Sequence, residues 1–208
     1  MHGIRGYALD PSQVSFEPIP GEALAQIEHR TRQNLSGCLE VEHEAVHDLI
    51  DRGPESARVI ETARQWRDHR AVRYIAGNHE EMFLESFEDK EMLRHFLKHG
   101  GRETVLSYGI KKKRYNELTM KELQAELHEL VPGKHRKFLA EMEDIIVAGD
   151  YVFVHAGINP KHSLEDQKQS DLRWIRERFL KHREPFSHVV VHGHTIFEDI
   201  EHTDYRIG

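Results

Sequence analysis

The sequence predicts a single α/β domain, and three observations carry that reading. At 208 residues the chain can bury one sizeable core but not two full ones. Short apolar runs, such as Tyr-Val-Phe-Val at 151–154 and His-Val-Val-Val at 188–191, read as buried strands. Between them lie longer segments whose apolar residues recur at helical spacing, and strands alternating with helices define the class.

Residues 1–45 are the least legible. Pro11, Pro18, Pro20 and Gly21 punctuate a polar stretch in which only 22–31 suggests a helix. Residues 55–67 follow as a helix, with Ala57, Ile60, Ala63 and Trp66 on one face and Pro54 just ahead of its first turn. A short buried strand at 71–76 ends at Gly77, and 79–99 reads as helical with a break near Asp89 and a stop at Gly100-Gly101. Residues 102–143 form a polar, mainly helical insert or lid, with helices expected at 119–130 and 133–142 on either side of Pro132. The basic run Lys111 to Arg114 within it reads as a solvated loop. Strands are expected at 145–147 and 151–154 around a Gly149-Asp150 turn, an amphipathic helix at 171–181, a strand at 188–191 and an edge strand near 200–207.

Apolar residues make up 38% and charged residues 31%, a balance that suits a globular protein in water. The net charge of −7 argues against a nucleic-acid binder that works by neutralising phosphates, but leaves room for local arginines or metals. Cys38 is the lone cysteine, so no intrachain disulfide can form and a reducing cytoplasm is expected. No apolar run approaches the length of a membrane helix, and residues 1–20 lack the pattern of a secretory signal.

Four motifs close strands or turns, where a rigid sheet can aim several side chains at one point. They are Asp48-Leu49-Ile50-Asp51-Arg52-Gly53, Gly77-Asn78-His79-Glu80, His155-Ala156-Gly157 and His192-Gly193-His194-Thr195. The first supplies two carboxylates and an arginine able to clamp a phosphate at two points. The second places a hard oxygen ligand beside a histidine that can act as acid or base, after a glycine that lets the chain turn. Each admits a plainer reading alone: a polar turn, a helix cap at Asn78, or core histidines at 155 and 194.

Together, in this order, they resemble the phosphoprotein phosphatase branch of the calcineurin-like metallophosphoesterases, most of all its small bacterial and phage members. Asp48 to Gly53 looks like that family's GDxxDRG motif, Gly77 to Glu80 is its GNHE motif, and His155-Ala-Gly and Gly-His194-Thr resemble its two closing histidine motifs. The resemblance spans 48 to about 208. It implies a β-sandwich flanked by helices and two divalent metals, manganese or else iron or zinc. Asp48 would bridge them, and Asn78, His155 and His194 would complete the second metal's shell. It further implies direct attack of metal-bound hydroxide on phosphorus, with His79 protonating the leaving alcohol, Asp51 orienting His79, and Arg52 holding phosphate oxygens. The Trp174-Ile175-Arg176 segment looks like the one that delivers a second arginine, which makes Arg176 the choice over Arg173 or Arg178. His192 is expected to support rather than ligate.

The chain departs from the family pattern at its start. No GDxHG motif precedes Asp48; the nearest relics are Asn34 and Ser36 in 33–39, or His2 in Met1-His2-Gly3. His47 replaces the expected glycine, and 40–47 is polar where a strand should be buried. The sheet is also expected to lack a strand or two at its end, so a rearranged gene, a shortened chain or segments joined over gaps all stay open. Loss of up to two ligands to the first metal implies impaired or conditional catalysis. The expected function is hydrolysis of phosphomonoesters, phosphoserine or phosphothreonine first, with a phosphorylated protein or small phosphoester as partner. A dinucleoside polyphosphate hydrolase and a phosphate-binding module without turnover are the alternatives.

Overall fold

The computed structural model describes residues 49–69, 71–196 and 201–208, together with the backbone of 44–46. The helix expected at 22–31, and the residues His2, Asn34, Ser36 and Asp48, lie outside that set.

The chain is α/β, as its sequence predicts. β1 (Glu44–Val46) pairs in parallel with β2 (Val72–Tyr74), Ala45 opposite Arg73. Between them runs α1 (Ser56–His69), which buries Ser56, Val59, Ile60, Ala63 and Trp66, the spacing of one helical face. The Tyr74 hydroxyl donates to the Ala63 carbonyl at 2.8 Å and so ties strand to helix.

The second sheet has four strands in the order β3 (Ile145–Ala148), β4 (Tyr151–Val154), β5 (Val189–Val191) and β6 (Arg206–Ile207). The first pair is an antiparallel hairpin turning at Gly149 (φ 57°), and the other pairings are parallel. β4 shows why its four residues are all apolar. Val152 and Val154 point to one face, where they pack with Leu172, Ile175 and Phe179. Phe153 points to the other, where it joins Ile146, Val191 and Ile75, the residue just past β2. Both faces are buried, and the second packing joins the two sheets.

Between the sheets in sequence come α2 (Asn78–Glu85), α3 (Lys90–Phe96), α4 (Arg102–Ser107), α5 (Lys112–Glu117), α6 (Met120–Leu130) and α7 (Gly133–Ala140). Asp89 caps α3 through Glu91 N–H, at the break foreseen in 79–99, and Thr119 forms a capping box with Glu122 at the start of α6. This segment supplies Val105, Leu123, Leu127, Phe138 and Leu139 to the largest apolar core, alongside Phe83 and Phe96. Gly100-Gly101 stops the helix, as the sequence predicts. His99 and Gly100 (φ 114°) leave helical backbone, so the preceding helix ends there, and α4 starts directly after the kink.

The helix expected over 171–181 is two short ones, α8 (Gln169–Trp174) and α9 (Glu177–Leu180). The Leu172 carbonyl, which a continuous helix would offer to Arg176 N–H, instead accepts Ala156 N–H at 2.8 Å. The chain therefore leaves the helix at Ile175 and Arg176. Among the described residues no helix is long and apolar enough to cross a membrane.

Candidate active site

Three of the four motifs deliver their side chains from strand ends. Asn78 and His79 open α2 immediately after β2, His155 follows β4, and His194 follows β5 with left-handed backbone (φ 63°). The strand ends are themselves joined, since Gly193 N–H donates to the His155 carbonyl at 2.9 Å.

Asn78 Oδ1, His155 Nε2 and His194 Nδ1 converge. The oxygen stands 2.7 Å from His155 Nε2 and 3.0 Å from His194 Nδ1, and the two nitrogens are 3.0 Å apart. Hydrogen bonds alone do not satisfy such a triangle: if both imidazoles donate to the oxygen, two N–H groups are left facing one another. A shared cation resolves it, because three lone pairs then meet at one point. Neighbouring ligands of a metal held at 2.0–2.1 Å in octahedral geometry are separated by about 3 Å. Among the described residues no group of three or more His, Cys, Asp or Glu side chains forms a metal cluster, and this one reaches three donors only through an asparagine. One amide oxygen and two imidazoles suit a divalent ion of intermediate hardness.

Asp51 and Arg52 arrive differently. Both adopt left-handed backbone (φ 74° and 61°), unusual for residues with a Cβ. Asp51 is buried and binds His79 Nδ1 through Oδ2. Its Oδ1 accepts the Thr104 hydroxyl at 2.8 Å, and its N–H donates to the Thr104 hydroxyl oxygen at 3.0 Å. Arg52 is exposed, and its N–H reaches the Gly100 carbonyl at 3.3 Å. The turn is also tied to the GNHE motif. Buried Glu80 accepts Gly77 N–H and Leu49 N–H, each at 2.9 Å, so one carboxylate fastens the two loops together.

Arg176, at the break between α8 and α9, is exposed and lies 3.4 Å from Thr195 Oγ1, next to His194. Arg173 is instead bound to Asp144 and Glu81, and Arg178 faces Asp171. Trp174 packs edge-on to His194 with ring centres 6.4 Å apart. His192 is buried against Phe179. The structure thus brings Asn78, His155 and His194 into one group and Asp51 and His79 into another. Asp48 is outside the described residues. Sequence reasoning missed Thr104 and Gly100, since neither belongs to a motif it weighed for chemistry. Glu80 was read as part of a motif without its role as the link between loops.

The model of the calcineurin-like phosphoesterase family matches residues 48–206. That family comprises metal-dependent phosphoric ester hydrolases, and the chain belongs to it. No curated protein matches significantly. Among solved structures, the chain is similar to a protein described as a candidate diadenosine tetraphosphatase, with 14% identity and a TM-score of 0.56 over 90% of this chain and 78% of the other. It also matches a metallophosphoesterase from Sphaerobacter thermophilus (14% identity, TM-score 0.33, 66% of this chain and 44% of the other). A third match is a hypothetical protein from Pyrococcus horikoshii (18% identity, TM-score 0.32, 68% and 50%). At 14% identity the first of these likenesses speaks to the fold alone.

Proposed function

We propose that this protein hydrolyses phosphomonoesters, with phosphoserine or phosphothreonine as the first substrate class, and that it belongs to the phosphoprotein phosphatase branch of its family. The observation that carries this reading is the Asp51–His79 pair: a buried carboxylate holding one nitrogen of an imidazole that follows directly on Asn78.

Asn78, His155 and His194 would hold a divalent ion, with manganese the first choice and iron or zinc the others. When bound, such an ion neutralises phosphoryl charge and makes an attacking water more acidic. The remaining steps belong to the chain. Asp51 fixes the His79 ring through Nδ1, so that a proton passes to the departing alkoxide from Nε2. The guanidiniums of Arg52 and Arg176 grip the phosphoryl oxygens, bidentately where geometry allows, and favour the charge that grows in the transition state. Asp48 is the proposed bridging ligand. The expected setting is the cytoplasm, with a phosphorylated protein or a small phosphoester as partner and no role for nucleic acid or membrane.

A second reading, hydrolysis of dinucleoside polyphosphates, is favoured by the description of the structure at TM-score 0.56. One assay separates the readings. Turnover of a phosphothreonine peptide and of diadenosine tetraphosphate is measured across a manganese titration, with His79→Asn alongside. The expected result is metal-dependent turnover of the peptide, reduced in the variant by about 100-fold or more, the range of general-acid catalysis. Clear preference for the dinucleotide moves the assignment to the second reading. Phosphate binding without turnover of either makes the chain a binding module.

A further inference from the structure

We infer that Thr104 is a positioning residue for proton delivery, acting on His79 through Asp51. This rests on the reading of His79 as the acid that protonates the leaving group.

Asp51 sits with φ 74° beside Arg52 at φ 61°, backbone that side chains with a Cβ rarely adopt, so its surroundings must hold it there. Thr104 grips it at both ends: the hydroxyl accepts from Asp51 N–H at 3.0 Å and donates to Oδ1 at 2.8 Å. One hydroxyl therefore fixes the backbone of Asp51 and the rotation of its carboxylate. Since Oδ2 is bound to His79 Nδ1, that rotation sets where the imidazole can point.

Thr104 is fully buried and lies 53 residues from Asp51 in sequence, so nothing local explains the pairing. The same hydroxyl also lies 3.2 Å from buried Ser56 Oγ, and the Thr104 carbonyl accepts the Ser107 hydroxyl at 2.6 Å. The backbone leading to Thr104 is shaped for the same approach. Gly100 at φ 114° presents its carbonyl to Arg52 N–H, and a Cβ there would stand 3.0 Å from Arg52 Cγ. The kink at His99 and Gly100 is followed at once by α4, whose first turn carries Thr104.

The test compares two nearly isosteric substrates. Phenyl phosphate needs a proton on its leaving oxygen, whereas p-nitrophenyl phosphate departs readily without one. Thr104→Val keeps the shape and removes the hydroxyl; Thr104→Ser keeps the hydroxyl. With manganese present, Thr104→Val is expected to lower kcat on phenyl phosphate by about 10- to 100-fold, the value of a hydrogen bond to a charged group. The loss on p-nitrophenyl phosphate should be about tenfold smaller, and Thr104→Ser should recover most of the difference. Adding Thr104→Val to His79→Asn should cost little more than His79→Asn alone, because both act at one group. Equal losses on both substrates, or full losses added in the double variant, would overturn the inference and leave Thr104 a structural residue. If Thr104→Val does not fold, Thr104→Ala is read in its place: a loss larger on phenyl phosphate than on p-nitrophenyl phosphate supports the role, and a loss shared equally by both substrates overturns it. Absence of manganese-dependent turnover in the parent protein instead sinks the hydrolase reading beneath it.

Discussion

Asn78, His155 and His194 reach the site from the ends of strands, whereas Asp51 and Arg52 sit on a left-handed turn propped from below by Gly100 and Thr104. The first group inherits its order from the sheets: β4 and β5 are hydrogen-bonded neighbours, and Ile75, next to β2, packs against both. Asn78 and the two histidines then need little beyond their positions to meet within 3.0 Å. The second group depends on contacts made across 48 or more residues of chain, by backbone carbonyl and hydroxyl rather than by sheet. The proposed metal donors are thus carried by regular structure, while the proposed acid–base pair requires a turn that regular structure does not supply.

Two substitutions break the comparison at its strongest points. His155→Ala removes one corner of the triangle, and manganese affinity measured by calorimetry should fall by about 1,000-fold or more, because changes to residues that merely support a ligand already cost about 10–100-fold. Unchanged affinity would place the ion elsewhere. Asp51→Asn leaves the triangle intact but replaces the carboxylate that holds His79. Manganese affinity should then stay within a few-fold while kcat on a phosphothreonine peptide drops by about 100-fold. If the two properties fell together in Asp51→Asn, the site would be one unit rather than two.

The same division governs what the sequence reveals. Strand-end motifs are legible because a run such as Tyr-Val-Phe-Val followed by His155 states both the strand and the residue it presents. The pairing of Thr104 with Asp51 leaves no such trace, since it depends on contact between distant segments. The broken helix at 171–181 fails for a related reason: the Ala156 amide, from another loop, takes the Leu172 carbonyl, and no helical periodicity records that competition. Leu172, Ile175 and Phe179 keep helical spacing across the break because all three still point into one core.

Gly100→Ala sharpens the comparison at the level of the turn alone. The new methyl would force φ 114° on a residue that resists it and would stand 3.0 Å from Arg52 Cγ. A loss of about 1–3 kcal/mol in unfolding free energy is expected, the usual cost of strained backbone. Residual turnover should show a raised KM, as Arg52 is pushed off the phosphate. A variant as stable as the parent would mean the turn relaxes freely, and would weaken the case that it is held under constraint.

The smallest effect expected lies away from both halves of the site, on the face where α1 meets α7. Arg64, with help from Lys134, Gln65 and His135, holds the Glu61 carboxyl well below the usual carboxylate range. The neighbouring His135 imidazole is pushed down, chiefly by burial, although Glu61 pulls it the other way. Both shifts act in one direction on stability. A carboxylate with a lowered pKa stabilises the fold above its unfolded value of about 4.3, and the gain disappears as pH falls below that. A histidine kept neutral by burial likewise favours the fold above about 6.5 and resists folding once the unfolded chain takes up a proton. The melting temperature should therefore decline in two stages, gently below about pH 6.5 and further below about pH 4.5. Glu61→Gln should remove the second stage while costing less than about 1 kcal/mol near neutrality, because its partners are partly exposed. A Glu61→Gln profile that still falls as steeply below pH 4.5 would assign the acid sensitivity to other carboxylates.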